Sequence, residues 1–246
     1  MLPILQVGAL ALPVPPLSLL LGLWFGLLLA EKFAPKRGVS VEALYNLTII
    51  GLVAGLIGAR FGYVFQYPNA FIESPLSLFS LNPGLLDPFA GFAVGLVAML
   101  VYGQRTKLTC LNTLDVLTPL LAVMAVGVTI SHIASGEAYG AETNLPWGIS
   151  LFGAARHPTQ FYELIAAVLT LALIGIWSIN PEAPAGKLFL KFVALAAGSR
   201  LFLEAFRGDS AVIIGGLRSA QIISWLVLAV AFAGLDRMKQ KGENHG

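Results

Sequence analysis

Three charged residues in the C-terminal part of the chain have the spacing of a single helical face. Arg200, Glu204 and Arg207 stand at positions i, i+4 and i+7 of a largely apolar segment. Residues at these intervals project from the same side of a helix. Guanidinium groups match phosphate oxygens in two-point hydrogen bonds. The residue types and their spacing therefore predict a phosphate-binding face.

Polar residues also interrupt or border three other apolar segments. They are Arg60, His132 with Glu137 five residues later, and Arg156, Gln160 and Glu163. Ionisable side chains are expensive in an apolar solvent and usually face a cavity or the interior of a helix bundle. One interpretation is that these residues pair structurally and hold the helices together. The other is an anion-binding cavity, and for the set as a whole we favour the cavity.

The composition indicates that the solvent of this chain is lipid. Of 246 residues, 57% are hydrophobic and only 11% are charged, whereas soluble domains carry about 25% charged residues. The mean hydropathy of +0.81 agrees with this. A net charge of +2 without a basic patch interleaved with aromatics argues against nucleic acid as a partner.

The apolar runs predict an all-α, polytopic membrane protein with seven transmembrane helices. A bilayer core needs about 20 mostly apolar residues per helix. The predicted spans are 14–31, 43–66, 84–103, 114–135, 159–179, 188–206 and 219–235. In the alternative, one short span is re-entrant. The first helix is predicted to be retained, since the first sixteen residues carry no Lys or Arg.

Lysine and arginine near the span ends predict the orientation. The odd-numbered connections and the C-terminal tail hold Lys32, Lys36, Arg37, Arg105, Lys107, Lys187, Arg237, Lys239 and Lys241. The N-terminus and the even-numbered connections hold Arg156, Arg207 and Arg218. The N-terminus is therefore predicted to be extracytoplasmic and the C-terminus cytoplasmic. In this orientation the polar residues gather near the outer leaflet, where a phospholipid headgroup is the obvious phosphate.

The chain is predicted to be a single transmembrane domain, 1–246, with an extracytoplasmic loop at 136–158. No internal repeat is visible, which argues against an inverted-repeat transporter. Trp147 suits a position at the membrane interface. Cys110 alone excludes an internal disulfide, and three histidines without ligand spacing argue against a metal site. No cofactor is predicted.

Several motifs, in order, resemble the prolipoprotein diacylglyceryl transferase family over roughly residues 12–235. No single motif is decisive, but their order and spacing are specific. They are GARFGY at 58–63, LD at 114–115 with Pro119, GEAYG at 136–140, TNLPWG at 143–148, RHPTQFYE at 156–163 and RLFLEAFRGD at 200–209, followed by Gln221.

The resemblance implies a multi-pass enzyme of the bacterial plasma (inner) membrane. Members of the family move the diacylglyceryl group of phosphatidylglycerol to the lipobox cysteine thiol of a preprolipoprotein. The expected partners are therefore phosphatidylglycerol, or another anionic phospholipid, and the preprolipoprotein. The resemblance also carries over a set of intact family positions: Arg60, Glu137, Gly140, Arg156, Gln160, Glu163, Arg200, Glu204 and Arg207.

The sequence departs from the family at several signature positions. The His-Gly-Gly motif of the third helix is replaced by FAGF at 89–92, and an expected tyrosine is missing near residues 16–17. In the family's Gly-Arg-x-Gly-Asn-Phe-x-Asn signature, the arginine falls on Thr129 and the two asparagines on His132 and Ser135.

These departures leave His132 as the candidate base. An imidazole titrates near neutral pH and can take a thiol proton, and Glu137 is predicted to orient it if the helix ends between them. The alternative is a hydrogen-bonded structural histidine. For the whole chain, the alternatives are a catalytically inactive homologue that binds lipid or serves as a subunit of a membrane complex, and a channel or transporter. Polar residues confined to the outer third argue against a channel.

Overall fold

The computed structural model describes residues 3–8, 10–80, 82–180, 183–213 and 216–243. Eight α-helices lie in these ranges: α1 Val14–Phe33, α2 Val41–Gln66, α3 Pro68–Glu73, α4 Pro88–Arg105, α5 Cys110–Ser135, α6 Thr159–Trp177, α7 Lys187–Leu203 and α8 Ser219–Glu243. A helix lies at each of the seven apolar runs, and α3 is a short extra helix in the second connection.

The chain is a polytopic membrane protein. Five stretches of the described chain are long and apolar enough to cross a membrane: Val14–Arg37, Val41–Gln66, Cys110–Ser135, Thr159–Trp177 and Ser219–Gln240. Many of their large apolar side chains are exposed, among them Leu20, Leu56 and Val230. Exposed apolar side chains on this scale suit a lipid environment.

Two small hairpins lie outside the apolar runs, so the all-helical prediction was incomplete. Strand β1 (Ile4–Val7) pairs antiparallel with β2 (Leu10–Pro13), and β3 (Ile149–Leu151) pairs antiparallel with β4 (Ala154–Arg156). The second hairpin turns through Phe152 and Gly153, whose φ angles are 51° and 79°. Two consecutive positive φ angles are typical of the tightest hairpin turns.

Contacts divide the chain into two units, the first of residues 1–37 and 114–246 and the second of residues 38–113. In the second unit α2 packs along α4. Glycines allow this close approach, since a Cβ at Gly95 would lie 2.8 Å from the carbonyl oxygen of Gly51. Small residues at such crossings are the usual device of membrane helices.

In the first unit a buried ion pair fixes the start of α7. Arg37 Nη1 lies 3.3 Å from Asp115 Oδ2, and both side chains are almost fully buried. The Asp115 carboxylate also accepts the backbone N–H groups of Gly186 and Phe189, each at 2.9 Å. Asp115 of α5 therefore satisfies backbone donors at the N-terminus of α7 that the helix itself leaves free. Helix α7 packs against α6 and α8.

Candidate active site

A cluster of charged side chains forms in the first unit where the ends of three helices meet. His132 comes from the last turn of α5, Glu163 from the beginning of α6 and Arg200 from the last turn of α7. Glu163 connects them: its Oε2 lies 3.1 Å from His132 Nδ1, and its Oε1 lies 3.7 Å from Arg200 Nη1. Arg207 Nη1 donates to the same Oε1 at 2.6 Å. One carboxylate thus contacts three basic side chains.

Glu204 forms a second anionic centre beside the first. Its carboxylate is fully buried, with Oε2 at 3.0 Å from Arg200 Nε and 4.0 Å from Arg207 Nε. Neither carboxylate oxygen accepts a hydrogen bond within the described residues. A buried charge without hydrogen bonds depends on its ion pairs. Glu204 therefore needs both arginines, and it fixes where the Arg200 guanidinium lies.

Arg207 has every guanidinium nitrogen engaged by a carboxylate. Nε and Nη2 donate to Asp209 at 2.9 and 2.8 Å, and Nη1 donates to Glu163. Burial alone would lower the pKa of Arg207, but the hydrogen bonds and charges of Asp209 and Glu163 raise it above its ordinary value. Arg207 is a permanent cation that holds the cluster together, and each of its guanidinium nitrogens already donates to a carboxylate.

Arg156 organises the loop at 136–158. Its guanidinium donates to the carbonyls of Leu151 and Gly140 and to the carboxylate of Glu142, at 3.2, 3.3 and 3.1 Å. It also stacks over the ring of Tyr139, 5.3 Å from the centroid. These contacts tie the β3–β4 hairpin to the segment that follows α5. A residue predicted to bind phosphate thus spends its donors on the protein.

Gln160 also contacts the loop rather than the charged cluster. The side chain is buried, and its Nε2 donates to the backbone carbonyl of Glu137 at 3.1 Å. The neighbouring Thr159 donates to the carbonyl of Ala138 at 2.6 Å. Glu137 itself is exposed. The carboxylate that holds His132 is therefore Glu163 and not, as the sequence predicted, Glu137.

An apolar cavity of about 270 Å³ opens directly beside the cluster, between α5, α6 and α7. His132, Glu163 and Arg200 line its polar end, and the remaining wall is mostly Ala, Val, Leu and Phe side chains. The Arg200 side chain is 42% exposed, against 10% for Arg207. Within the described residues Arg200 Nη2 makes no hydrogen bond, so this arginine has a donor for a ligand. Thr129, where the family pattern has arginine, lines the same cavity.

Arg60 belongs to the second unit. Its Nη2 donates to the backbone carbonyl of Ser80, and its Nη1 is buried without a partner among the described residues. Of the predicted site residues, the structure thus brings together His132, Arg200, Glu204 and Arg207, while Arg156, Gln160 and Glu137 belong to the adjoining loop and its helix.

Sequence reasoning counted Glu163 among the polar residues of the cavity without giving it a role, and it did not include Asp209. A signal for Glu163 was present, since it is the only charged residue between positions 159 and 177. A lone carboxylate in an apolar helix requires a partner. Asp209 carried no comparable signal, because it follows Arg207 by two residues in a polar connection.

Comparison with known proteins matches residues 4–235 to the family model described as prolipoprotein diacylglyceryl transferase. A protein of Clostridioides difficile named phosphatidylglycerol–prolipoprotein diacylglyceryl transferase is 29% identical over 227 residues, covering 91% of this chain and 90% of its own length. Proteins with the same name from Finegoldia magna and Streptococcus pyogenes serotype M3 are each 28% identical, over 216 and 249 residues. They cover 87% and 97% of this chain, and 85% and 95% of their own lengths.

Proposed function

The chain belongs to the prolipoprotein diacylglyceryl transferase family, and we propose that it transfers the diacylglyceryl group of phosphatidylglycerol to the lipobox cysteine thiol of a preprolipoprotein. The observation that carries this proposal is the placement of His132, Glu163 and Arg200 at one end of an apolar cavity. Such a site has room for an acyl chain beside groups suited to a phosphate and a thiol. The names of the matched relatives point to the same two substrates.

The proposed topology is seven spans, with the N-terminus outside and the C-terminus inside a bacterial plasma membrane. Besides the five longest apolar helices, α4 and α7 have 18 and 17 residues. Helix α7 rises about 26 Å, and the 3₁₀ turn Glu204–Phe206 that continues it adds about 6 Å. Together they match a hydrocarbon core of about 30 Å. The distribution of Lys and Arg supports the orientation, which places the charged cluster near the outer leaflet.

In the proposed reaction His132 is the base. Glu163 accepts a hydrogen bond from His132 Nδ1, so the free Nε2 of a neutral imidazole can take the thiol proton. The thiolate sulfur then forms a bond to the carbon of the diacylated glycerol that carries the phosphate. The bond from that carbon to the phosphate oxygen breaks, and its electron pair stays on the oxygen. The proton on His132 passes to the leaving glycerol phosphate, so atoms and charge balance.

Arg200 is the proposed phosphate ligand. It lines the cavity, has a free donor, and is held in place through Glu204 at 3.0 Å. Proton transfer from the thiol adds a positive charge just as negative charge develops on the leaving phosphate. An interaction that forms only in the transition state lowers the barrier, whereas one that stabilises the ground state and the transition state equally does not.

The remaining predicted residues have supporting roles in this proposal. Glu204 and Arg207 position the Arg200 and Glu163 side chains, while Arg156 and Gln160 hold the loop at 136–158. A direct part for Glu137 in catalysis, and direct lipid contacts by Arg156 and Gln160, stay predictions, as does a partner subunit. A catalytically inactive homologue gains no support, because the matched relatives are named as transferases.

Complementation of a bacterial strain depleted of its own transferase tests the proposed function. Lipoprotein maturation should be restored by this chain, and no restoration by a stably inserted chain would refute the proposal. In the purified protein, His132→Ala should lower transfer to a lipobox peptide about 10²- to 10⁴-fold, the usual contribution of a general base. Full activity of His132→Ala would exclude the base role without touching the overall function.

A further inference from the structure

The second unit contains a cationic nitrogen that lacks a partner. Arg60, in the last two turns of α2, anchors Nη2 on the backbone carbonyl of Ser80. Its Nη1 is buried, and within the described ranges no acceptor reaches it. Leaving a charged donor buried without a partner is unfavourable, because its lost hydration is not replaced. The site therefore favours an external acceptor at Nη1.

An apolar trough begins at this guanidinium. The cavity measures about 380 Å³ and lies between α2, residues 78–80 and Leu86. Apart from Arg60 and Ser80, its lining consists of Leu and Ile side chains and the rings of Phe61 and Phe79. The Phe79 side chain is also 79% exposed, so the trough opens to the surroundings rather than into a closed core. All of these residues belong to residues 38–113.

A guanidinium at one end and an apolar trough behind it match the two parts of a phospholipid. Phosphate oxygens are the acceptors for which a guanidinium is best suited, and an acyl chain can pack in van der Waals contact against the Phe and Leu side chains. We propose that this trough binds one anionic phospholipid, whose phosphate accepts from Arg60 Nη1 and whose acyl chain lies along Phe61 and Phe79. This extends the lipid-binding role predicted for Arg60 to a defined site built by the second unit alone.

The site is tested by counting lipids that remain on the purified protein. The protein is delipidated in detergent, reloaded with phosphatidylglycerol in mixed micelles, and examined by native mass spectrometry. Arg60→Gln should bind one phosphatidylglycerol fewer than the unaltered chain. Arg105→Gln removes an exposed arginine at the far end of α4 in the same unit and should leave the number unchanged. An equal number in Arg60→Gln and the unaltered chain would overturn the proposal.

Two further measurements separate this lipid from other ligands. Leu56→Trp fills the trough and keeps Arg60, so it should also lose one lipid; retention would mean that no chain occupies the trough. Inorganic phosphate should not displace the lipid at equal concentration, and displacement would identify a free-phosphate site instead.

A double variant separates this site from the proposed donor site, because the lipid number is measured without turnover. Arg200→Gln and Arg60→Gln should each lose one lipid, and the double variant two. A loss of only one by the double variant would place both arginines on one lipid and overturn a separate site. If the unaltered chain shows no transfer but still binds one lipid that Arg60→Gln loses, only the transferase proposal is refuted.

Discussion

Replacing Glu163 by glutamine tests the proposed base through its hydrogen bond. Oε1 of Glu163 faces Arg207 and Arg200, and Oε2 faces His132 Nδ1. Arginines are only donors, so the amide oxygen of the variant must point toward them. The amide nitrogen then faces His132 and makes Nδ1 an acceptor. The ring proton moves to Nε2, and the nitrogen that should take the thiol proton is blocked.

The expected loss is large because the substitution changes the tautomer and a charge at the same time. Carboxylate-to-amide replacement beside a catalytic histidine costs about 10⁴ in rate in the Ser-His-Asp enzymes, so we expect transfer by Glu163→Gln to fall between about 10² and 10⁴. Removing one partner of a buried pair also lowers stability by about 3–5 kcal/mol, and Glu163 and Arg207 side chains are 12% and 10% exposed. Rates must therefore be measured well below the unfolding temperature of the variant.

Glu142→Gln is the matched control. It makes the same chemical change in an ion pair with Arg156 at 3.1 Å, but the Glu142 side chain is 70% exposed. Exposed pairs contribute about 0–1 kcal/mol, so transfer and unfolding should stay near those of the unaltered chain. The assay is transfer of radiolabelled diacylglycerol to a lipobox peptide at saturating lipid. A tenfold change in rate corresponds to 1.36 kcal/mol in activation free energy. If transfer by Glu163→Gln is within about threefold of transfer by Glu142→Gln, the assignment of His132 as base is refuted.

Two further substitutions test the scaffold, and a third, Gly198→Ala, is the control for the second. Asp115→Asn leaves the buried Arg37 charge unpaired, so the free energy of unfolding in detergent should fall by about 3–5 kcal/mol. Transfer per folded molecule should stay unchanged. If the variant is as stable as the unaltered chain, the ion pair contributes little to stability. Gly140→Ala places a Cβ 2.2 Å from the carbonyl oxygen of His157 and should reduce both folding yield and transfer. Gly198→Ala, with no atom within 4 Å of the new Cβ, should be neutral or stabilise by up to about 1 kcal/mol.

The helices were predictable because one strong physical term determines them. In lipid every backbone polar group must be satisfied internally, so each long apolar run must be helical, whatever its neighbours do. The 3₁₀ turns and the β3–β4 hairpin were not predictable in this way. Their form depends on local conformations such as the positive φ of Phe152, a residue type that does not ordinarily signal a turn.

The site was predictable in its residue types but not in its pairings. The sequence indicated an outer cluster of His132, Arg200, Glu204 and Arg207, which the structure brings together, but it assigned His132 the nearest downstream carboxylate. Spacing along the chain indicates which side chains of the same helix can contact one another. It carries no information on which residue of another helix lies opposite. Glu163 is 31 positions away and still 3.1 Å from His132.

The same limit applies to the arginines that the sequence predicts as phosphate ligands. A guanidinium binds an anion only with donors that the protein has not used, and the sequence does not show which are used. Arg207 and Arg156 give every nitrogen to the protein's own acceptors, whereas Arg200 and Arg60 each retain an unengaged Nη within the described residues. Of these four arginines, Arg200 and Arg60 are the two that line apolar cavities. Donor availability, rather than the number of arginines, therefore points to where an anionic lipid binds.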